Sequence, residues 1–268
     1  MRWFPFFLIV ASALPVLSAG QALTPDEKVI IESARSRYYS LESHGFVSLN
    51  CSVIFDFATV PSLPSLDLDT DRRLLETSVF QLSLDRNGPK VTHMYPGGTS
   101  ENVQKSAAPL AGVLTSLVQG LFLTWPAKGL DGPIPALDSQ IKSVAATPSG
   151  YEIVLNVPGG PVRIELDKEF LVTEISSVGG KVDEHPVYTA TGEGLIFTGN
   201  RASDSTQPGS PTRIEYELDS AVLDGLRLPT SVHLKVNENI DVRYSLRGCS
   251  VVKGTVIVVK ASPSGPKT

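Results

Sequence analysis

"FVSLNCSVIFDF", Phe46–Phe57, alternates apolar and polar side chains along its whole length. Val47, Leu49, Cys51, Val53, Phe55 and Phe57 fall on one side of an extended chain, and Ser48, Asn50, Ser52 and Asp56 on the other. Such a strand has one dry and one wet face, an arrangement natural to antiparallel sheets. The same period recurs downstream. Phe80, Leu82 and Leu84 lead through Asn87-Gly88 to Val91, His93 and Tyr95, a hairpin. From about residue 139 the chain reads as strands throughout. Their inward sets are Tyr151, Ile153, Leu155, Val157; Val162, Ile164, Leu166; Leu171, Ile175; Ile214, Tyr216, Leu218; Val232, Leu234, Val236; and Ile240, Val242, Tyr244, Leu246. "GTVIVV" at 254–259 reads as the last strand. The expected class is mainly β with a few α.

Two stretches have helical period instead. Thr24, Pro25 and Glu27 form a capping box with Pro at the first helical position. Ile30, Ile31, Ala34, Tyr38 and Leu41 then share a face up to Gly45. The second is "PLAGVLTSLVQGLFLTW", Pro109–Trp125, in a region without charge from Lys105 to Lys128. Leu110, Val113, Leu114, Leu117, Val118, Leu121 and Phe122 make a wide stripe, with Gly112, Thr115, Ser116 and Gln119 opposite. A membrane span needs ~20 predominantly apolar residues. Small and polar residues interrupt this run and Pro126 ends it, so an amphipathic helix laid on the sheet is the expectation.

About ten one-faced strands expose more dry surface than two or three helices cover. Such a sheet either curls or leaves a cavity beneath its helices. The expected architecture is a curved antiparallel half-barrel with an N-terminal helix and a mid-chain lid helix. The residues expected to line an apolar cavity are Val53, Phe55, Phe57, Leu114, Leu117, Leu121, Phe122 and Trp125. Each is first of all a core residue by its period; only the imbalance of sheet and helices argues for a cavity.

The N-terminal "MRWFPFFLIVASALPVLSAGQA" has a basic residue, an apolar run and small residues at its end, as a secretory leader does. Cleavage is expected after Ala22, with Gly20 as the second choice, leaving one domain over 23–260 and a free tail over 261–268. The destination is then periplasmic or secreted, with no membrane span after cleavage. There Cys51 and Cys249 default to a disulfide, with two separate buried thiols as the alternative.

A net charge of −5 spread along the chain offers no basic patch for nucleic acid. No nucleophile elbow, zinc-protease motif or phosphate loop occurs, and His44, His93, His185 and His233 stand alone. No catalytic residue, metal site or cofactor is therefore assigned, and an enzyme is not expected. "DLDTD", Asp67 to Asp71, lacks the Gly and Glu of a calcium loop and reads as an acidic loop before the short helix "RRLLE". "VDEHP", with Asp183, Glu184 and His185, reads as a solvated turn before Pro186.

The exported helix followed by "GFVSLNCSVIFDF", the helical insert at 107–123 and the late "LDGLRLPTSVHLKV" together resemble the periplasmic lipoprotein-carrier superfamily, the LolA/LolB-like and outer-membrane lipoprotein-sorting proteins. The resemblance implies a half-barrel with helices as a lid over a cavity for acyl chains. In those carriers a basic residue on an early strand helps hold the lid, and this early strand has none. The expected function is a monomeric binding or carrier protein for a lipid, acylated or other apolar ligand. The alternative is an envelope structural or interaction domain with a packed core, whose partner is another envelope protein.

Overall fold

A computed structural model describes residues 23–60, 68–137, 141–206, 211–237 and 239–254. The expected leader, the tail, the segment 255–259 and Asp67 lie outside the described residues.

Among the described residues the chain forms one antiparallel sheet of twelve strands: β1 Phe46–Asp56, β2 Val79–Asp85, β3 Gly88–Met94, β4 Ile141–Ala146, β5 Gly150–Val157, β6 Gly160–Asp167, β7 Val172–Ser177, β8 Val182–Thr191, β9 Gly194–Asp204, β10 Thr212–Leu223, β11 Leu226–Val236 and β12 Ile240–Lys253. Their order is β3-β2-β1-β12-β11-β10-β9-β8-β7-β6-β5-β4. Three α-helices accompany them: α1 Pro25–Arg35, α2 Leu68–Glu76 and α3 Glu101–Thr124. Mainly β with a few α is thus the class. The strands number twelve rather than about ten, and the sheet is open and uncurled where a half-barrel was expected. Its edges, β3 and β4, are not paired to each other. The reason lies in how the dry face is covered, which happens in two separate pieces. Ile31, Ala34 and Tyr38 cluster with Ile141, Ile153, Ile164, Leu166 and Val172. The buried stripe of α3 clusters with β1–β3 and β9–β12. Each helix serves its own stretch of sheet.

Thr24 caps α1 as expected: its hydroxyl accepts from the Glu27 N–H at 3.3 Å, and the Glu27 carboxylate accepts from the Thr24 N–H at 2.7 Å. The helix stops at Arg35, however, before Tyr38 and Leu41. A tertiary contact overrides the helical period there. Tyr38 bridges to Leu195, and its hydroxyl donates to the Phe170 carbonyl at 2.8 Å while accepting from the Val172 N–H at 2.7 Å. Gly45, at φ 81°, closes a short 3-10 turn instead.

β1 keeps the expected alternation from Leu49 onward. At its start the register against β12 shifts between Phe46 and Ser48, so Phe46 is buried and Val47 points outward. A second shift lies between Asn50 and Ser52. There Gly248, in the left-handed region at φ 55°, and Cys249 together face Cys51, and the two cysteines are joined by a disulfide. The bond closes a sequence separation of 198 residues and fits an oxidising compartment.

Two expectations for polar stretches are corrected. Asp71 is in α2, not a loop; it is buried and accepts a hydrogen bond from Ser106. "VDEHP" is the first half of β8, not a turn. Pairing of β8 with β7 extends only through Asp183 and Glu184, so the missing N–H of Pro186 falls beyond it.

His93 on β3 lies tilted against Phe80 at 4.5 Å and meets Tyr95 edge-on at 4.3 Å, with its Nε2 buried and without a hydrogen-bond partner among the described residues. Burial pushes its pKa below the ordinary 6.5. The unfolded chain therefore binds a proton that the folded chain resists. Stability attached to this ring is fully present above about pH 6.5 and is lost as pH falls from there through the lower pKa of the folded state. His93→Phe is expected to flatten the acid side of a plot of urea midpoint against pH between about pH 7.5 and 5.5.

Candidate functional site beneath the long helix

α3 begins at Glu101, earlier than its apolar stripe suggests, with an exposed Glu101–Lys105 ion pair in its first turns and Pro109 inside it. With the turn that follows it is long and apolar enough to cross a membrane by length and composition. Here it lies along the sheet, with Ala107, Leu110, Ala111, Leu114, Val118, Leu121 and Phe122 buried. Its nearest elements are β3, α2 and β2, at one edge of the sheet.

All eight residues expected to line a cavity meet in one cluster. Val53, Phe55, Phe57, Leu114, Leu121, Phe122 and Trp125 are buried in it, and Leu117 packs against it half-buried. Phe55 is its aromatic hub, 5.0 Å from Phe80, 5.5 Å from Tyr244 and 6.0 Å from Phe57. Trp125 lies 5.8 Å from Phe122. These residues fill the space between helix and sheet. A crevice of about 20 Å³ remains beside Tyr39, Trp125, Phe197 and Leu218, room for one water. A hollow of about 530 Å³ lies across β1, β12, β11 and β10, where outward-facing Ile54, Asp56, Glu217, His233 and Arg243 line it.

The polar half of the site was not anticipated. Past Thr124 the chain tightens into a π-helical turn, Pro126–Leu130. Gly129 makes this possible: a Cβ there would come within 2.6 Å of the Trp125 ring. The turn drives Lys128 into the protein at 5% exposure, where its ammonium meets the Glu184 carboxylate of β8 at 2.6 Å. The same carboxylate oxygen accepts from the Asn200 side-chain amide at 3.0 Å. Asn200 pairs across the ladder with Tyr216, and Tyr216 in turn with Leu234. Tyr244 on β12 and Tyr188 on β8 extend the set along the dry face.

Four atoms of this set are buried without any hydrogen-bond partner among the described residues: the hydroxyls of Tyr188, Tyr216 and Tyr244 and the side-chain oxygen of Asn200. The Tyr216 hydroxyl lies near Thr124 and Asn200, whose side chains offset part of its rise in pKa, but it makes no hydrogen bond to either within ordinary geometry. Thr124 donates instead to its own helix, at the Leu121 carbonyl, 3.1 Å away. Burial pushes all three phenols well above their ordinary value, and the Glu184 carboxylate adds to the effect at Tyr188 and Tyr216.

The sequence placed Tyr216 and Tyr244 on inward faces. Its signal for the rest was slight: Lys128 is the first charge after the uncharged run, and Glu184 sits in a stretch that reads as a turn. No group of three or more metal-ligating side chains occurs among the described residues. No family model, curated protein or solved structure matches this chain.

Proposed function

We propose that this chain is an exported binding or carrier protein for a lipid, acylated or other apolar ligand, working in the periplasm or outside the cell. The observation that carries the reading is the placement of α3. A 24-residue apolar helix shares one buried cluster with seven strands, yet its nearest elements are the edge hairpin β2–β3 and α2. A helix attached along one edge lifts without breaking the strand pairing beneath it. Lifting exposes Val53, Phe55, Leu114, Leu121 and Phe122 together, and an acyl chain laid there contributes about 0.8 kcal/mol per buried methylene. The resemblance to lipoprotein carriers points the same way. The lid contact differs from theirs in kind, because its basic residue, Lys128, comes from the turn after the helix and not from an early strand.

One observation favours a rival. With a crevice of about 20 Å³ beside Trp125 and the expected lining buried, the closed form also suits a packed envelope interaction domain. Native mass spectrometry of the exported protein, purified without detergent, separates the two. A discrete extra mass released as lipid on denaturation supports the carrier. A clean mass, with Trp125 emission unmoved by added lipids, supports the interaction domain. Leu117→Asp combined with Leu121→Asp is expected to abolish uptake, and uptake that survives in this variant removes α3 from the scheme. Circular dichroism confirms in parallel that the variant retains its sheet.

A further inference from the structure

A dry, permanently packed core does not leave four polar atoms unpaired at one place. Each buried hydroxyl or amide without a partner costs about 1–3 kcal/mol, and native proteins satisfy nearly all such atoms with protein groups, water or ligand. Tyr216, Tyr244 and Asn200 are 4%, 3% and 4% exposed, so bulk water does not reach them. They sit on β10, β12 and β9, with Tyr216 beside Thr124 at the end of α3 and Tyr188 completing the set from β8.

We propose that Tyr216, Tyr244, Asn200 and Tyr188 form a head-group site for the uncharged, hydroxyl-bearing end of an otherwise apolar ligand, such as a monoacylglycerol. This rests on the carrier reading and adds the chemistry of the ligand's polar end. The complement is specific. Each phenol has a proton to donate, and the Asn200 oxygen is free to accept, because its amide nitrogen is engaged by Glu184. A hydroxyl both donates and accepts, so it answers both needs. Charge argues against an ionised end. Lys128 and Glu184 already neutralise each other at 2.6 Å. Burial of the Tyr188 and Tyr216 hydroxyls, with a smaller contribution from Glu184, opposes a negative charge there, which disfavours a carboxylate or phosphate. An ammonium would compete with Lys128 for the one carboxylate. The ligand's end reaches these groups as the π-helical turn swings out with α3.

The test titrates the mature, disulfide-bonded protein with monolaurin, laurate and dodecane, read by Trp125 emission and native mass spectrometry at pH 7.5. Monolaurin is expected to bind at least tenfold more tightly than laurate. Tyr216→Phe is expected to weaken monolaurin about five- to tenfold, the worth of one net hydrogen bond, while leaving dodecane unchanged. The same variant without ligand is expected to melt no lower than the parent, since it deletes an unpaired hydroxyl and keeps the ring. Laurate binding as tightly as monolaurin overturns the head-group site and leaves the carrier standing. So does a Tyr216→Phe variant that binds monolaurin unchanged. A ligand-free variant that melts lower than the parent shows that the hydroxyl has a permanent partner, and it too overturns the site. If monolaurin, laurate and dodecane all fail to bind, the carrier reading itself falls.

Discussion

Replacing Cys51 and Cys249 together with Ala is expected to lower the free energy of unfolding by about 5 kcal/mol, the largest effect foreseen for any change in this protein. The disulfide closes a sequence separation of 198 residues, and the chain-entropy treatment assigns about 5 kcal/mol to a loop that long. In the unfolded chain the bond forbids most of the separations the two ends would otherwise explore. In the folded chain the register shift at Gly248 places Cys249 opposite Cys51 across the β1–β12 ladder. Urea unfolding of the oxidised protein and the double variant measures the difference directly. A loss below about 1 kcal/mol means that the unfolded ensemble stays compact enough to hold the two strands near each other without the bond.

Lys128→Met is expected to cost about 3–5 kcal/mol, because it leaves the Glu184 carboxylate without its counter-charge, with the Asn200 amide as its remaining partner. A buried pair as such is weak support for a fold: removing both charges with residues of similar volume is often neutral. Lys128→Met with Glu184→Leu is therefore expected to recover much of the loss. Thermal and urea unfolding of the single and double variants complete a cycle whose coupling term isolates the pair. The single variant is also expected to loosen the end of α3, seen as a red shift of Trp125 emission. A single variant as stable as the parent would mean that water reaches Glu184 as soon as Lys128 is gone.

Alternation was legible wherever one face of a strand is plainly dry, as in β1 and the β2–β3 hairpin. It failed where a single residue is inserted. The shift at the start of β1 exchanges Phe46 for Val47, and a period-two pattern has no means of registering it. β8 was missed for a different reason. Asp183, Glu184, His185 and Pro186 have every local mark of a turn, and what makes them a strand is pairing with Glu184↔Ala202 and Pro186↔Asn200 on β9. The eight apolar residues expected to line a site do come together, since helical and strand periods each say which side faces in. The polar set was illegible because its members lie on α3's trailing turn, β8, β9, β10 and β12. Periodicity placed Tyr216 and Tyr244 inward, but whether a hydroxyl finds a partner there depends on neighbours remote in sequence. Lys128 entered the interior because a π-helical turn, permitted by Gly129, rotates it there.

The strand order has a consequence for how this molecule comes apart. Every neighbouring pair in the sheet joins strands consecutive in the chain except one, β1 with β12. That pair is a seam between two blocks. One block is β1–β3 with α2 and α3; the other is β4–β12, which bears Tyr188, Asn200, Tyr216 and Tyr244. Each is built from pairings of neighbours in sequence, so each is suited to open and close as a cooperative unit. The helix belongs to one block and the polar row it covers to the other, and the Cys51–Cys249 bond is the covalent stitch across the seam. Hydrogen exchange on the reduced protein should therefore show β1 and β12 losing protection together, ahead of both blocks, so that reducing the stitch parts the helix from the row.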